Sequence, residues 1–437
     1  MRDVISRPCT RRVVFSTGAT LFGATFLAAC GGSSATTQQA SQTLKPATIR
    51  FTPASGPGGD VNTFEPLYEQ YMAERPNIKI EPEIIPEGGW TKVNALLMAE
   101  SAADVTRIND DSVYQWGSSG KLLHLDPYVA KSMKREDYFP PEWQAMTVDG
   151  KLYSMQPHFG VNLFVYNKAL FQKAGITAPT DWKKTWDWST FVANARKIAG
   201  LGSSGSEVYA MTFPANYAIP LVWGNGTRQY NADETKCAFN TKEAAEILTD
   251  VQELIHVHKV LTYGQNSSQL FQAGRLGMNW GDPQFGTRMP PEVQWDLMPT
   301  PKTKKEVYQE GYVRTFAIPK STKEVDAAWD FMRWLMQMKA QVHLGQAGYG
   351  VPALKAAGDP TYKEGPLKDK NWKLVPEGLN YDVPLANNPV GQTFKDQFSK
   401  GPTDKFFKGE IKANELLLNG CQEVDNKIRE LSWKKKG

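Results

Sequence analysis

Apolar side chains along this chain recur at two spacings, one typical of β-strands and the other of amphipathic helices. The first strand is predicted at the β-prone run Thr48–Phe51. A helix follows, because apolar residues then recur three and four positions apart, at Phe64, Leu67, Tyr68, Tyr71 and Met72. Asn62 and Glu65 are predicted to form a capping box at its start, and Pro76 to close it.

This alternation continues through most of the chain. Strands that alternate with helices predict an α/β fold with largely parallel sheets. The Pro- and Gly-rich stretch at residues 345–402 is predicted to be largely irregular. Further strands are predicted at Ile78–Ile80, Asp104–Ile108, Asn162–Tyr166 and Leu276–Trp280, and further helices after Trp90, after Trp188, at Lys242–His256 and at Asp326–Met338.

The N-terminus has the pattern of an export signal. Arg11 and Arg12 precede a short apolar stretch, Val13–Ala29, which is the arrangement of a secretory leader. The four residues that end at Cys30 resemble a bacterial lipobox. Residues 1–29 are therefore predicted to be a removable signal peptide, and residues 30–46 a lipidated cysteine with a flexible tether.

Two alternatives stay open for this leader. A transmembrane anchor is disfavoured, because the apolar stretch is short for a spanning helix and is interrupted by Ser, Thr and Gly. The paired arginines resemble a twin-arginine signal, so the sequence does not decide between that export route and the general secretory one.

Composition narrows the possible partners. The chain of 437 residues is long enough for two large cores. Its formal charge of +4 falls to about +1 without the leader, which carries four arginines and one aspartate. A net charge this small does not indicate a nucleic-acid-binding surface. Cys237 and Cys421 would remain in an oxidising compartment, either as a disulfide or as two buried thiols.

Motifs for catalysis or cofactor binding are weak. Gly200–Gly205 matches the dinucleotide-binding pattern, but the preceding segment has helical spacing, whereas that motif requires a strand there. His256 and His258 would lie on different faces of a helix. No cofactor and no metal site are therefore expected. Asp110, Asp111 and Glu87 remain as carboxylates that a glycoside-cleaving enzyme could use.

A series of segments, in order, resembles the extracellular solute-binding proteins of carbohydrate ABC importers, the maltose and multiple-sugar binding class. The resemblance covers roughly residues 48–355, behind the lipobox, and is loose beyond them. The segments that carry it are GKLYSMQP at 150–157, LFVYNK at 163–168, FQAGRLGM at 271–278, QWDLMPTP at 294–301, FAIPKS at 316–321 and GYGVP at 348–352.

The resemblance implies the two-lobed type II fold of periplasmic binding proteins, with hinge crossovers and a ligand cleft between the lobes. Crossings are expected near Pro157–Val161, near Thr315–Ala317 and near Tyr349–Pro352. The first lobe would contain residues 47–157 and 317–350, and the second residues 158–316 and 351–437. Hinge closure around the ligand is the expected motion.

The resemblance also implies which residues line the cleft. A sugar ring needs an apolar surface for its C–H face and fixed polar groups for its hydroxyls. The candidates are Ser55, Trp90, Asp110 and Asp111 in the first lobe, Asn216, Tyr217, Trp280, Asp282, Gln284 and Phe285 in the second, and Tyr312, Arg314 and Tyr349 near the crossings.

Several of these roles have structural alternatives. Asp111 could cap a helix, and Trp90 could belong to the core. Gln284 occupies the position where the family usually has a stacking tryptophan, with Trp280 and Phe285 as possible substitutes. Arg314 could brace the hinge through a salt bridge or hold an anionic group.

The expected function is that of a substrate-binding lipoprotein of an ABC importer, and not of an enzyme. It would capture a sugar or oligosaccharide and deliver it to the transmembrane permease subunits, as a monomer held by its lipid outside the cytoplasmic membrane or in the periplasm. An anionic solute such as a glycerophosphate is the alternative ligand. A secreted glycoside-cleaving enzyme and a scaffold lipoprotein are alternatives of other classes.

Overall fold

Two five-stranded sheets form the framework of the described chain. The computed structural model describes residues 44–53, 59–85, 89–140, 143, 146–303, 314–381 and 388–432, with the backbone alone at 59, 60, 90, 110, 111 and 314. The strands are β1 (Ala47–Thr52), β2 (Ile78–Pro82), β3 (Val105–Asn109), β4 (Thr147–Val148), β5 (Lys151–Leu152), β6 (Ser154–Met155), β7 (His158–Phe159), β8 (Leu163–Asn167), β9 (Tyr209–Thr212), β10 (Leu261–Thr262), β11 (Leu276–Gly281), β12 (Trp295–Met298), β13 (Arg314–Ala317) and β14 (Val351–Pro352).

Helices connect these strands and cover both sheets. They are α1 (Gly59–Glu74), α2 (Trp90–Met98), α3 (Asp110–Ser118), α4 (Asp126–Ser132), α5 (Lys168–Lys173), α6 (Trp188–Ala199), α7 (Ala218–Gly224), α8 (Lys242–His256), α9 (Ser267–Gln272), α10 (Gln284–Thr287), α11 (Val325–Leu335), α12 (Met338–Gln346), α13 (Gly358–Glu364), α14 (Leu374–Gly378), α15 (Gly391–Phe398), α16 (Gly401–Phe407) and α17 (Ala413–Glu430).

The first sheet has the strand order β2-β1-β3-β13-β6. Strands β1, β2 and β3 are parallel and are connected by α1 and α2. Strand β13, which is distant in sequence, inserts antiparallel between β3 and β6. Ile49 and Phe51 of β1 are fully buried, as expected for a central strand with helices on its faces.

The second sheet has the order β10-β9-β11-β8-β12. Strands β9, β10 and β11 are parallel, so their carboxyl ends meet at one edge. Strands β8 and β11 are antiparallel. Neighbouring residues of β8, Leu163, Phe164 and Val165, are all fully buried, so apolar layers cover both faces of this sheet.

A short antiparallel ladder lies where the chain passes between the two sheets. Strand β7 follows β6 of the first sheet and precedes β8 of the second, and it pairs with β14. The Tyr362 hydroxyl donates to the Gly350 carbonyl at 3.0 Å beside this ladder. The crossings expected near Pro157–Val161 and near Tyr349–Pro352 are therefore neighbours in the structure. The lobe boundaries stay predictions.

The two cysteines of the second sheet's core form a disulfide. Cys237 and Cys421 are bonded, with 5.3 Å between their Cα atoms. The Cys237 amide also donates to the Asp425 carboxylate at 2.7 Å. The bond fastens α17 to the loop that precedes α8, and it decides between the two possibilities that the sequence left open.

Three local predictions were wrong. Helix α1 begins at Gly59, so Asn62 and Glu65 lie inside it and form no capping box. The helix predicted to end at Met338 stops at Leu335, and a new one starts at Met338, because Gln337 between them has extended backbone angles.

The third concerns residues 345–402, which contain α13, α14, α15, α16 and the strand β14. Many of their glycines lie at the first or last position of an element, as Gly358, Gly378, Gly391 and Gly401 do. Each element buries a few large side chains, among them Tyr362, Leu374 and Phe394. Helices this short depend on tertiary packing, so periodicity alone does not reveal them. The helix at Lys242–His256, in contrast, has the predicted bounds.

Candidate functional site

An aromatic stack lies at the carboxyl end of β11. The Trp280 ring lies 4.6 Å from the Tyr217 ring, with 24° between their planes. Tyr217 is edge-on to Phe164, with 5.9 Å between the ring centroids, and is tilted by 32° against Phe213 at 5.4 Å. The structure thus brings together two candidates that are far apart in sequence, and the short helical turn Ala215–Tyr217 after β9 positions one of them.

The polar atoms of this stack have no hydrogen-bond partner among the described residues. The Tyr217 hydroxyl and the Trp280 Nε1 are both buried and unpaired, and the side chains are 1% and 5% exposed. Burial raises the pKa of Tyr217, so the phenol is a neutral donor. A buried donor without an acceptor costs about 1–3 kcal/mol, and a ligand hydroxyl could remove that cost.

The loop after β11 reaches the segment before β14. Gln284 is buried, and a Cβ atom on Gly348 would lie 2.7 Å from the Gln284 Cα. Gly348 has φ +89°, a left-handed conformation that favours glycine. Gly348, next to Tyr349, therefore packs directly against the start of α10. This contact brings the candidates Gln284 and Tyr349 into the same region.

Two other candidates of this region, Tyr349 and Phe285, pack against aromatic rings. Tyr349 is buried, with its ring edge-on to Phe64 at 5.9 Å. Phe285 is half-buried and lies edge-on to Phe271 at 5.2 Å. Asn216 is exposed beside the buried Tyr217, and Asp282 is half-buried. Trp280, whose ring stacks on Tyr217, therefore stays the predicted stacking residue.

For Trp90, Asp110 and Asp111 of the first lobe, the structure describes the backbone but not the side chain. Asp110 and Asp111 begin α3, directly after β3. In the β3–β13 ladder Arg314 is paired with Asn109, so the backbone brings Arg314 next to the position before Asp110. The following lie outside the described residues: the signal peptide, Cys30, most of the tether, Ser55, Glu87, Tyr312, and the side chains of Trp90, Asp110, Asp111 and Arg314.

A concavity at the same sheet edge was not predicted from the sequence. It has a volume of about 570 Å³ and is lined in part by Thr212, Tyr263, Asn279, Asp404 and Lys408. These residues come from β9, the loop after β10, β11, and the region of α16. No motif joins them, because they are close only once the second sheet has formed.

Elements for metal, membrane or dinucleotide binding are missing from the described part of the chain. Within it, no three His, Cys, Asp or Glu side chains cluster so that they could hold a metal ion. Helices long and apolar enough to cross a bilayer are also absent from these residues. The glycines of Gly200–Gly205 follow α6, a helix and not a strand, so they do not form a dinucleotide-binding motif.

Comparison with known proteins identifies the family. The model of the bacterial extracellular solute-binding proteins matches residues 57–342. A maltodextrin-binding protein of Bacillus subtilis is 27% identical over 250 residues, which are 53% of this chain and 57% of that protein. The chain spans 56% of the length of the first curated relatives that it matches.

Solved structures show the same fold. An ABC substrate-binding protein from Listeria monocytogenes, in complex with cycloalternan, has a TM-score of 0.77 at 22% identity and covers 89% of this chain and 100% of its own. UgpB from Mycobacterium tuberculosis, in complex with glycerophosphocholine, has a TM-score of 0.76 at 16% identity and covers 88% and 99%. The predicted two-lobed periplasmic-binding fold is confirmed.

Proposed function

Because this chain belongs to the family of bacterial extracellular solute-binding proteins, we propose that it is the substrate-binding component of an ABC importer and captures a sugar or oligosaccharide between its lobes. The family implies a location outside the cytoplasm. The observation that carries the carbohydrate assignment is the Tyr217–Trp280 stack with its two unpaired polar atoms.

This stack has the chemistry that a sugar needs. An indole ring offers a flat apolar surface to the C–H face of a pyranose, and the ring N–H and the phenol O–H can bond to its hydroxyls. Neither polar atom is used by a described part of the protein. The relative that binds maltodextrin and the structure that holds cycloalternan support an oligosaccharide as the ligand.

Binding would work by closure of the lobes and without chemical change of the ligand. A ligand that contacts both lobes only in the closed state shifts the equilibrium towards that state by its differential affinity. The closed molecule is then the form that the permease subunits recognise. Segments β7 and β14 lie where the chain passes between the sheets and would bend during closure.

The leader would hold the protein at the membrane. We infer that residues 1–29 are removed after export and that Cys30 carries the lipid, with the following residues as a tether. The Cys237–Cys421 disulfide supports an oxidising compartment, because disulfides persist there and not in the cytosol.

Tyr217→Phe and Trp280→Phe are expected to weaken sugar binding about 3- to 10-fold each, because each loses one hydrogen bond to the ligand. Tyr217→Phe should leave folding stability unchanged or slightly higher, since the deleted hydroxyl has no partner among the described residues. Trp280→Phe also shrinks a buried ring and should lower the free energy of unfolding by about 0.5–3 kcal/mol. Thermal melting against a panel of mono- and oligosaccharides identifies the ligand. A concentration about 100-fold above its dissociation constant should add about 2.7 kcal/mol of stability, and titration calorimetry then measures each variant.

Trp188→Phe is the matched control. Trp188 stacks on Phe191 with ring centroids 5.0 Å apart and 25° between the planes, at the start of α6 and outside the candidate site. It should bind sugar as the unchanged protein does. The carbohydrate assignment fails if no sugar shifts the melting temperature, and new reducing ends in a mixture with oligosaccharides would show that the protein is an enzyme.

An anionic solute such as a glycerophosphate is the second candidate. The pairing of Arg314 with Asn109 in the β3–β13 ladder supports it, because this position lies beside the start of α3. A guanidinium could hold a phosphate by two parallel hydrogen bonds. The structure that holds glycerophosphocholine belongs to the same fold.

The Arg314→Ala variant distinguishes a sugar ligand from an anionic one. Binding of glycerol 3-phosphate or glycerophosphocholine by the unchanged protein, lost in the variant, would favour the anionic solute. Sugar binding that survives the substitution, with no response to either phosphate ester, would exclude it. Arg314→Lys keeps the charge but not the two-pronged geometry, so it should retain only part of any phosphate-ester binding.

A further inference from the structure

We propose that the concavity at the carboxyl edge of the second sheet is an additional saccharide subsite, which gives the protein a preference for longer oligosaccharides. This inference rests on the proposed sugar-binding function. The pocket would hold sugar units that extend beyond those at the Tyr217–Trp280 stack. The pocket is the concavity of about 570 Å³ described above, and it lies within the range of small-molecule sites.

The position of the pocket connects it to the aromatic stack. Phe213 lines the pocket and also contacts the Tyr217 ring, with 5.4 Å between the ring centroids. Asn279, on its wall, directly precedes Trp280 in β11. A ligand stacked at Trp280 therefore has the pocket within the length of a few sugar rings. An adjoining concavity of about 440 Å³ shares Tyr263 and Lys408 with it.

The polar groups of the pocket suit a neutral, hydroxyl-rich ligand. The Thr212 Oγ1 is buried and has no partner among the described residues. Tyr263 donates to the Asp404 carboxylate at 2.8 Å, and Lys408 donates to the other oxygen of that carboxylate at 2.5 Å. The carboxylate and the ammonium thus neutralise each other, and they leave donors and acceptors without a net charge that would select an ion.

The apolar part of the lining completes this chemistry. The half-buried Tyr263 ring packs on Phe407, with 5.2 Å between the centroids, and this fixes the ring at the mouth of the pocket. A fixed aromatic ring beside hydroxyl and carboxylate groups is the combination that binds a pyranose. Asp404 and Lys408 lie beyond residues 57–342, the part that matches the family model, so this pocket depends on the chain's own C-terminal segment.

Thr212→Val tests the subsite with little risk to folding, because valine has nearly the shape of threonine and the deleted hydroxyl has no partner among the described residues. The probes are maltose, maltotriose and maltohexaose, together with the corresponding short and long members of any oligosaccharide series that stabilises the protein in the panel. The unchanged protein should bind the long member more tightly than the short one. The variant should lose about 3- to 10-fold in affinity for the long member alone.

Thr300→Val is the matched control, because Thr300 is also buried, its hydroxyl has no partner in the described part of the chain, and it does not line the pocket. It should bind both lengths as the unchanged protein does. Tyr263→Phe, which removes the hydroxyl that holds Asp404, should reproduce the loss seen in Thr212→Val. If sugars bind but affinity is independent of chain length, or Thr212→Val binds the long member normally, the subsite is wrong and the proposed function stands. If no sugar of any length binds, both are wrong.

Discussion

Gly350→Ala is expected to lower the free energy of unfolding by about 2–5 kcal/mol. Gly350 has φ +108°, a region that residues with a side chain rarely adopt. A Cβ atom there would overlap the Phe159 carbonyl oxygen. Because this oxygen belongs to the backbone of β7, the contact cannot be relieved by a change of rotamer, and the β7–β14 ladder would have to separate.

Two other glycines separate the cost of the left-handed backbone from the cost of the steric overlap. Gly205 has φ +82° but no atom within 4 Å of its added Cβ, so Gly205→Ala should cost only the backbone penalty of about 1–2 kcal/mol. Gly401 has open space and no left-handed backbone, and Gly401→Ala should be neutral or slightly stabilising. Urea unfolding of the three variants measures the series. Equal stability of Gly350→Ala and Gly205→Ala would show that the ladder tolerates a methyl group.

The same variant bears on ligand binding. The ladder joins the segments where the chain passes between the sheets, and hinge segments absorb the backbone rotation of closure. A displaced ladder should therefore weaken binding of any ligand that needs the closed state, in addition to its effect on stability. Gly205→Ala, which is remote from the crossings, should bind normally.

Removal of the disulfide is expected to lower the free energy of unfolding by about 2–5 kcal/mol. Cys237 and Cys421 are separated by 184 positions, so the bond restricts a long segment of the unfolded chain. In the folded protein it fastens α17 to the second core, where Leu417 and Val424 are fully buried. Loss of the bond should loosen the C-terminal helix first.

Urea unfolding of Cys237→Ala/Cys421→Ala, with and without a reductant, measures this contribution. The double variant should unfold at the same urea concentration in both conditions, and the reduced unchanged protein should approach it. Hydrogen exchange of the amides in α17 locates the effect. A reductant that leaves the unfolding of the unchanged protein unaltered would mean that the bond contributes nothing to stability.

The sequence by itself determined the features that depend on neighbouring residues. The apolar spacing at Lys242–His256 predicted a helix with the observed bounds, because one face of a helix must be buried and its period appears in the chain. The helical spacing before Gly200 predicted a helix at that place, which α6 confirms. The ordered motifs between residues 150 and 352 were enough to recognise the family, which the match over residues 57–342 confirms.

Only the tertiary structure decided which distant residues meet. It joined Cys237 to Cys421, stacked Tyr217 on Trp280, and assembled a pocket from Thr212, Tyr263 and Asp404. Local periodicity reports which face of a segment is buried and not which other segment covers it. Contacts of that kind depend on the order and direction of strands in a sheet, and these are set by the packing of the whole chain.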